Sequence, residues 1–301
     1  MKIVVTGGTG FIGSSLLEAL LKRGDQLVVL TRNPKKAQTN SKITYAAWNP
    51  DAEETIVREI DGADAVINLA GEPLIGKRWN AEQKEKILTS RVHATQMVAN
   101  SIKKAAIKPK VLINASAVGY YGSRNNESLT EASSAGSGFL TDICKAWEAH
   151  AIRIEDFDVR VIRLRIGVVL DKTGGALKLM LPAFRMFAGG WLGNGNQWMS
   201  WISREDLIRL ILFSLDHESV KGAINAVAPQ PVTNKAFSLV LAQMLKRPCF
   251  APVPAFVLKL LLGEMSEVLL GSQRVIPKKT LEAGFTYHQA EIRNALETIL
   301  R

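Results

Sequence analysis

A chain of 301 residues with 47% hydrophobic residues can bury one large core, or a domain plus a smaller lobe. Two cysteines, Cys144 and Cys249, cannot form a disulfide framework, and the longest apolar run, residues 256–262 with Lys259 inside it, is too short to span a bilayer. The formal charge of +10 includes lysine pairs at 35, 103 and 278 but no longer run, no aromatic interleaving and no zinc spacing, which argues against nucleic acid and for an anionic cofactor or substrate.

Ile3, Val4 and Val5 predict a first strand, and residues 14–22 predict the helix after it. Because the strand starts at once, no signal peptide is expected, and the unpaired cysteines fit a reducing cytoplasm. Between strand and helix lies TGGTGFIG, residues 6–13. Gly8, Gly10 and Gly13 fit G-x-G-x-x-G in the context that makes the pattern specific: strand, glycine turn, helix. The first glycines permit a tight turn and let backbone N–H groups approach a pyrophosphate, while Gly13 lets helix and strand pack closely. The helix N-terminus adds its partial positive charge. Candidate cofactor contacts in this loop are Gly7, Gly10, Phe11, Ile12 and Gly13.

The second strand, residues 26–30, ends in Thr31, Arg32 and Asn33. NAD sites carry an acid about 20 residues past the glycines, where it binds the ribose hydroxyls. Arg32 stands there instead. A guanidinium pairs with a 2′-phosphate through charge-assisted hydrogen bonds. Lys35 and Lys36 follow and add charge, so NADP(H) is expected over NAD(H).

Strand and helix keep alternating: strands at 42–47, 65–69, 111–114 and 159–164, helices at 53–60, 81–104 and 138–154. Ile87, Arg91, Ala94, Val98 and Ile102 line one stripe of the long helix; Leu140, Ile143, Cys144, Trp147 and Ala151 line another. Continuous apolar strands separated by helices predict a parallel, doubly wound sheet. The second half is less regular. Glycines punctuate residues 174–195, Ser203 and Asp206 form a capping box before an apolar helix at 207–215, and residues 223–227 read as a strand. Helices follow at 234–246, 255–270 and 289–300, with Pro248, Pro252 and Pro254 as a rigid connection. The expected division is a nucleotide domain over 1–170, which also takes in part of 200–230, and a lobe over 171–301. The lobe is expected to cover the C-terminal strand ends, where open α/β sheets bind ligands.

TGGTGFIG, NLAG at 68–71 and SAVGYYG at 116–122 resemble, in order, the extended short-chain dehydrogenase/reductase superfamily of nucleotide-sugar epimerases and dehydratases. FLTDICKAWE (139–148), RIGVVLDKTGGAL (165–177), GNGNQWMSWISREDL (193–207) and VLLGSQRVIPKKTLEAGF (268–285) are similar to its atypical "epimerase family protein" subgroup, also labelled SulA-like, over essentially the whole length. The resemblance implies a Rossmann sheet with a smaller mixed C-terminal lobe and a family-specific segment from about residue 248. It implies cofactor contacts at Thr31, Asn68, Leu69, Ala70, Gly71, Glu72 and Ala115, and a substrate-polarising hydroxyl at Ser116. Glu72, Arg78, Trp79, Ser90, Arg91, Gln197, Trp198 and Trp201 are further pocket candidates on the same ground.

One departure matters. The superfamily places Tyr-x-x-x-Lys on the helix after the serine, both side chains on one face. Here the two registers are Leu140 with Cys144 and Thr141 with Lys145, and neither holds tyrosine. Thr141 and Lys145 could orient a substrate, and Tyr121 is the nearest alternative phenol alongside Tyr120. Cys144 shares an apolar stripe and reads as an inert hydrophobe. Three functions stay open: an NADP(H)-dependent oxidoreductase on an unidentified small substrate, a nucleotide-sugar epimerase or dehydratase, and a non-catalytic NADP-binding regulator or redox sensor. The expected partners are a small molecule and a second copy of the chain as a homodimer, not nucleic acid or membrane; no metal is expected.

Overall fold

In the computed structural model, which describes residues 1–34, 42–49 and 53–301, the first half runs β1 (Lys2–Thr6), α1 (Phe11–Arg23), β2 (Gln26–Thr31), β3 (Ile43–Ala47), α2 (Glu53–Ile60), β4 (Ala65–Asn68), α3 (Ala81–Lys104), β5 (Val111–Ala117), β6 (Ser128–Leu129), α4 (Phe139–Ile152) and β7 (Arg160–Ile166). The second half runs β8 (Val168–Asp171), α5 (Gly175–Arg185), β9 (Trp198–Met199), β10 (Trp201–Ser203), α6 (Arg204–Asp216), β11 (Gly222–Ala226), β12 (Val232–Thr233), α7 (Asn234–Leu245), α8 (Ala255–Leu262), α9 (Glu267–Leu270), β13 (Arg274–Val275), α10 (Lys278–Glu282) and α11 (Ile292–Leu300).

Seven strands form one sheet in the order β11-β7-β5-β4-β1-β2-β3, with every neighbouring pair parallel. This is the Rossmann arrangement expected from the βα alternation. Side chains alternate across a strand, so β1 sends Ile3 and Val5 to one face and Val4 to the other. α1 and α6 cover the first face through Leu16, Leu20, Leu207 and Ile211. α2, α3 and α4 cover the second through Ile56, Val98, Ile102 and Ala151. Each fully buried aliphatic side chain of this kind contributes about 2 kcal/mol from burial alone. Strand order reverses around β1, whose neighbours are β2 and β4, and in open α/β sheets such a reversal is where a crevice forms at the C-terminal strand ends.

After β7 the chain builds a second core from Leu177, Leu181 and Phe184 of α5, Phe237 and Leu241 of α7, and Ala295 and Leu296 of α11. It returns to the sheet as β11 and then completes the lobe. Of three short ribbons, β8 with β10 and β9 with β12 pair within the second half, and β6 with β13 ties the C-terminal segment to the first half. Among the described residues no helix is long and apolar enough to cross a membrane.

Several boundaries differ from the sequence expectations. α1 begins at Phe11 because Gly10 already serves as its N-cap. The region 255–270 is not one helix: α8 ends at Leu262 and a 3₁₀ turn, Gly263–Ser266, leads into α9. Ser203 Oγ caps α6 by accepting from Asp206 N, but Asp206 does not complete a capping box. Its carboxylate instead accepts from the backbone N–H groups of His288 and Gln289, which ties the C-terminal segment to α6.

Candidate functional site

The loop between β1 and α1 is shaped for close backbone approach. Gly7 takes a φ of +68°, and a Cβ there would lie 2.7 Å from Leu69 C. A Cβ on Gly13 would lie 2.3 Å from Gly7 O and 2.7 Å from Gly8 Cα. Gly10 N donates to Gly7 O at 3.0 Å and closes the turn. The left-handed residue is Gly7 rather than Gly8, so the working spacing is Gly7, Gly10, Gly13; Gly8 packs against Val29. No side chain caps α1 and no acid lies in its first turn, which leaves its N–H groups to an anion. Phe11 packs under the Gly174–Gly175 turn and beneath the Arg204 guanidinium, 5.1 Å from its ring centroid, so the lobe bears on this helix end.

Thr31 is half-buried at the end of β2, and Arg32 beyond it is exposed. Lys35 and Lys36 lie outside the described residues. Across the crevice, Asn68 is fully buried at the end of β4, and its side chain joins three neighbouring elements. It accepts from Thr6 Oγ1 at 2.5 Å, and its Nδ2 donates to Asn114 Oδ1 at 2.7 Å and to Thr95 Oγ1 at 2.9 Å. This ladder fixes the loop of Leu69, Ala70 and Gly71 against Gly7; Ala115 is buried two residues into the end of β5. Glu72 is held below the usual carboxylate range, first by the hydrogen bond from Lys77 at 3.0 Å and last by the more distant charge of Arg32.

Ser116 lies at the end of β5 with 2% exposure and donates to Glu148 Oε1 at 2.7 Å. Glu148, on α4, is clasped by Arg165 of β7 through Nε at 2.8 Å and Nη2 at 2.9 Å. Arg165 Nη1 donates to Tyr121 OH at 2.9 Å, and that hydroxyl donates to Asn225 Oδ1 of β11 at 2.7 Å. Asn225 N donates to Glu131 Oε1, and its Nδ2 donates to Ile276 O, so the chain of bonds ends in the C-terminal segment. Burial works against the Arg165 charge, but the Glu148 carboxylate outweighs it and holds the guanidinium above its ordinary range. Burial pushes the Tyr121 phenol up to about 12, against the pull of Arg165. Tyr121 therefore stays protonated at neutral pH, and its donor and one acceptor position are occupied.

The α4 candidates separate. Thr141 is buried and donates to Gly119 O at 3.1 Å, whereas Lys145, one turn on, is exposed. Cys144 sits against Ala117 O at 3.6 Å, and burial pushes its thiol up to about 11. Trp201 is fully buried in the second core, with Nε1 donating to Gln230 O; it does not face the crevice. Gln197 is likewise buried and spends its amide on Leu192 O and Leu269 O. Trp79 is buried and packs edge-on to Phe139. Trp198 is half-buried and, with the candidates Thr141 and Gln197, lines a cleft of about 680 Å³ between the start of α4 and the lobe, together with Asn126, Leu140 and Lys259.

The NAD dependent epimerase/dehydratase family matches residues 3–227, three quarters of the chain, and a domain of unknown function, DUF1731, matches residues 253–299. The chain belongs to the NAD dependent epimerase/dehydratase family. It is 42% identical over 304 residues to the epimerase family protein SDR39U1 homolog, chloroplastic, of Arabidopsis thaliana, covering 100% of this chain and 87% of that protein. It is 37% identical over 301 residues to the epimerase family protein YfhF of Bacillus subtilis, covering 100% and 98%. Among solved structures it is similar to human epimerase family protein SDR39U1 (isoform 2) with NADPH, with a TM-score of 0.90 and 33% identity over 99% of both chains.

Within this epimerase/dehydratase-family chain, sequence reasoning missed the ion pair behind Ser116. A signal was present. Glu148 follows Trp147 on a buried stripe, and Arg165 stands between Leu164 and Ile166 on a buried strand. Charged residues in such places are almost always paired. It also missed Gly174 and Gly175 as the cover over Phe11, although that glycine pair was visible.

Proposed function

We propose that this family member is an NADP(H)-dependent oxidoreductase acting on a small substrate in the crevice between sheet and lobe. The observation that carries the reading is the cradle of Gly7, Gly10 and Gly13 against an uncapped α1, a space that a single Cβ would fill. Gly7, Gly10, Phe11, Ile12 and Gly13 would hold the pyrophosphate, Thr31 and Arg32 the adenosine end, and Leu69, Ala70, Gly71, Glu72 and Ala115 the opposite wall. When bound, a nicotinamide cofactor supplies hydride transfer. The NADPH in the human relative's structure supports the phosphorylated form.

Ser116 is the proposed substrate contact. Glu148 is an ion-paired carboxylate, an acceptor only, so Ser116 must spend its proton on it. The serine oxygen is then an acceptor, suited to a substrate hydroxyl rather than a carbonyl. The two unpaired cysteines support a cytoplasmic, reducing setting. A second reading, a nucleotide-binding regulator without turnover, is favoured by one observation: the Tyr-x-x-x-Lys positions hold Leu140 with Cys144, or Thr141 with an exposed Lys145, and Tyr121 is a very weak acid. NADP+ with a panel of alcohols, beside NADPH with the matching aldehydes, ketones, quinones and enones, separates the readings; cofactor turnover in either direction supports the first, and tight binding without turnover in both supports the second.

The cofactor preference has its own test. Arg32→Asp is expected to weaken NADPH about ten- to hundredfold and leave NADH within about threefold, because only the former loses a charge-assisted phosphate contact. Titration calorimetry with both cofactors checks this, and equal losses would remove Arg32 from the site.

A further inference from the structure

Arg91 occupies an inward position of α3, in a stripe otherwise made of Ile87, Ala94, Val98 and Ile102. It is 9% exposed. Its guanidinium makes one hydrogen bond, from Nη1 to Ile87 O at 2.9 Å, and lies 5.2 Å from the Trp147 ring centroid. Among the described residues no carboxylate comes within ion-pairing distance of it. Other arginines are treated differently. Arg165, the other arginine buried to this degree among the described residues, is clasped by Glu148 and bonded to Tyr121, and even the half-buried Arg160 donates to three backbone carbonyls, Ser214, Leu215 and Val220. The unspent nitrogens of Arg91 are not among the fully buried polar atoms that lack a partner, so they keep a path to the solvent side and stand free to take an acceptor.

Its surroundings offer no such partner. Glu72 is engaged by Lys77. Burial keeps Cys144 a neutral thiol, so it supplies no negative charge. Trp147 Nε1 is buried without a partner, a further donor with no acceptor beside the guanidinium. On the solvent side the cover is Gly71, which is exposed; a Cβ there would lie 3.2 Å from Arg91 Cζ and 3.4 Å from Nε. The missing side chain leaves the guanidinium approachable from the cofactor wall of the crevice.

We propose that Arg91 is an oxyanion subsite, taking a carboxylate or phosphoryl group of the substrate through its planar fork. The proposal rests on the reading of a substrate crevice beside Leu69, Ala70 and Gly71. The phosphates of a dinucleotide already have places at the α1 N-terminus and Arg32, so the group taken here belongs to the substrate. A guanidinium fits either oxyanion in bidentate fashion.

Titration calorimetry of NADPH-saturated protein with pyruvate, with inorganic phosphate and with neutral methyl pyruvate tests it. Wild type is expected to take up pyruvate or phosphate about ten- to hundredfold more tightly than Arg91→Met, and methyl pyruvate no better than the variant does. Preference between the two anions tells carboxylate from phosphoryl recognition. Arg91→Lys keeps the charge without the fork and is expected to fall between. Because Arg91→Met leaves no unpaired acid behind, its ligand-free melting temperature is expected to be no lower than that of wild type. If no anion shows Arg91-dependent uptake, or if Arg91→Met weakens NADPH as much as it weakens the anion, the proposal is overturned. Absence of NADPH uptake by wild type would instead defeat the cofactor reading; the same anion titrations on free protein then decide on Arg91.

Discussion

Glu148→Ala is expected to lower the melting temperature by roughly 6–10 °C, the result of about 3–5 kcal/mol lost when one partner of a buried ion pair is removed. The variant strands Arg165, which is 3% exposed, and releases the Ser116 proton. Loss of the carboxylate also loosens α4 from β7, since both Arg165 nitrogens reach across to it. Glu148→Leu combined with Arg165→Met is expected to recover part of the stability, because an apolar pair avoids one desolvation cost while Arg163, 3.5 Å from the carboxylate, and Ser116 still lose their partner. Thermal melts of the single and double variants check this. A melting temperature for Glu148→Ala within about 2 °C of wild type would show that the pair is not fully desolvated.

The second large effect falls on the cofactor loop. Gly13→Ala is expected to weaken NADPH by about a hundredfold or more, some 2.7 kcal/mol. The new methyl would meet Gly7 O at 2.3 Å and Gly8 Cα at 2.7 Å, both backbone, so the turn itself must move. Gly10→Ala is expected to cost less, since its methyl meets only Gly7 O, at 3.2 Å. Fluorescence titration with NADPH, beside a circular dichroism melt to show that each variant folds, reads the graded loss. Equal affinity for wild type and Gly13→Ala would mean that the loop holds no pyrophosphate.

What could be read from the sequence was what local chemistry dictates. The long helix Ala81–Lys104 follows from its apolar spacing, and the structure adds Asn80 as the N-cap, accepting from Gln83 N. The parallel sheet follows from apolar strands that alternate with helices, because crossovers cover both faces. Contacts between distant segments were not legible. Glu148 and Arg165 sit on different elements, and nothing in the spacing of either shows which charge answers the other. Trp201 read equally well as core or cleft until the packing of α5 and α7 enclosed it. The glycine turn was legible, since its spacing is set by backbone sterics, although the tight positions are Gly7, Gly10 and Gly13 rather than Gly8, Gly10 and Gly13. The site was not legible at Ser116, whose partner comes from a helix 32 residues further on.

Calorimetric titration of the wild-type chain with NADPH, and separately with NADH, bears most directly on the whole account. Saturable uptake of one NADPH per chain, tighter than that of NADH, is the result expected from the glycine cradle and Arg32. Folded protein that takes up neither dinucleotide would contradict it.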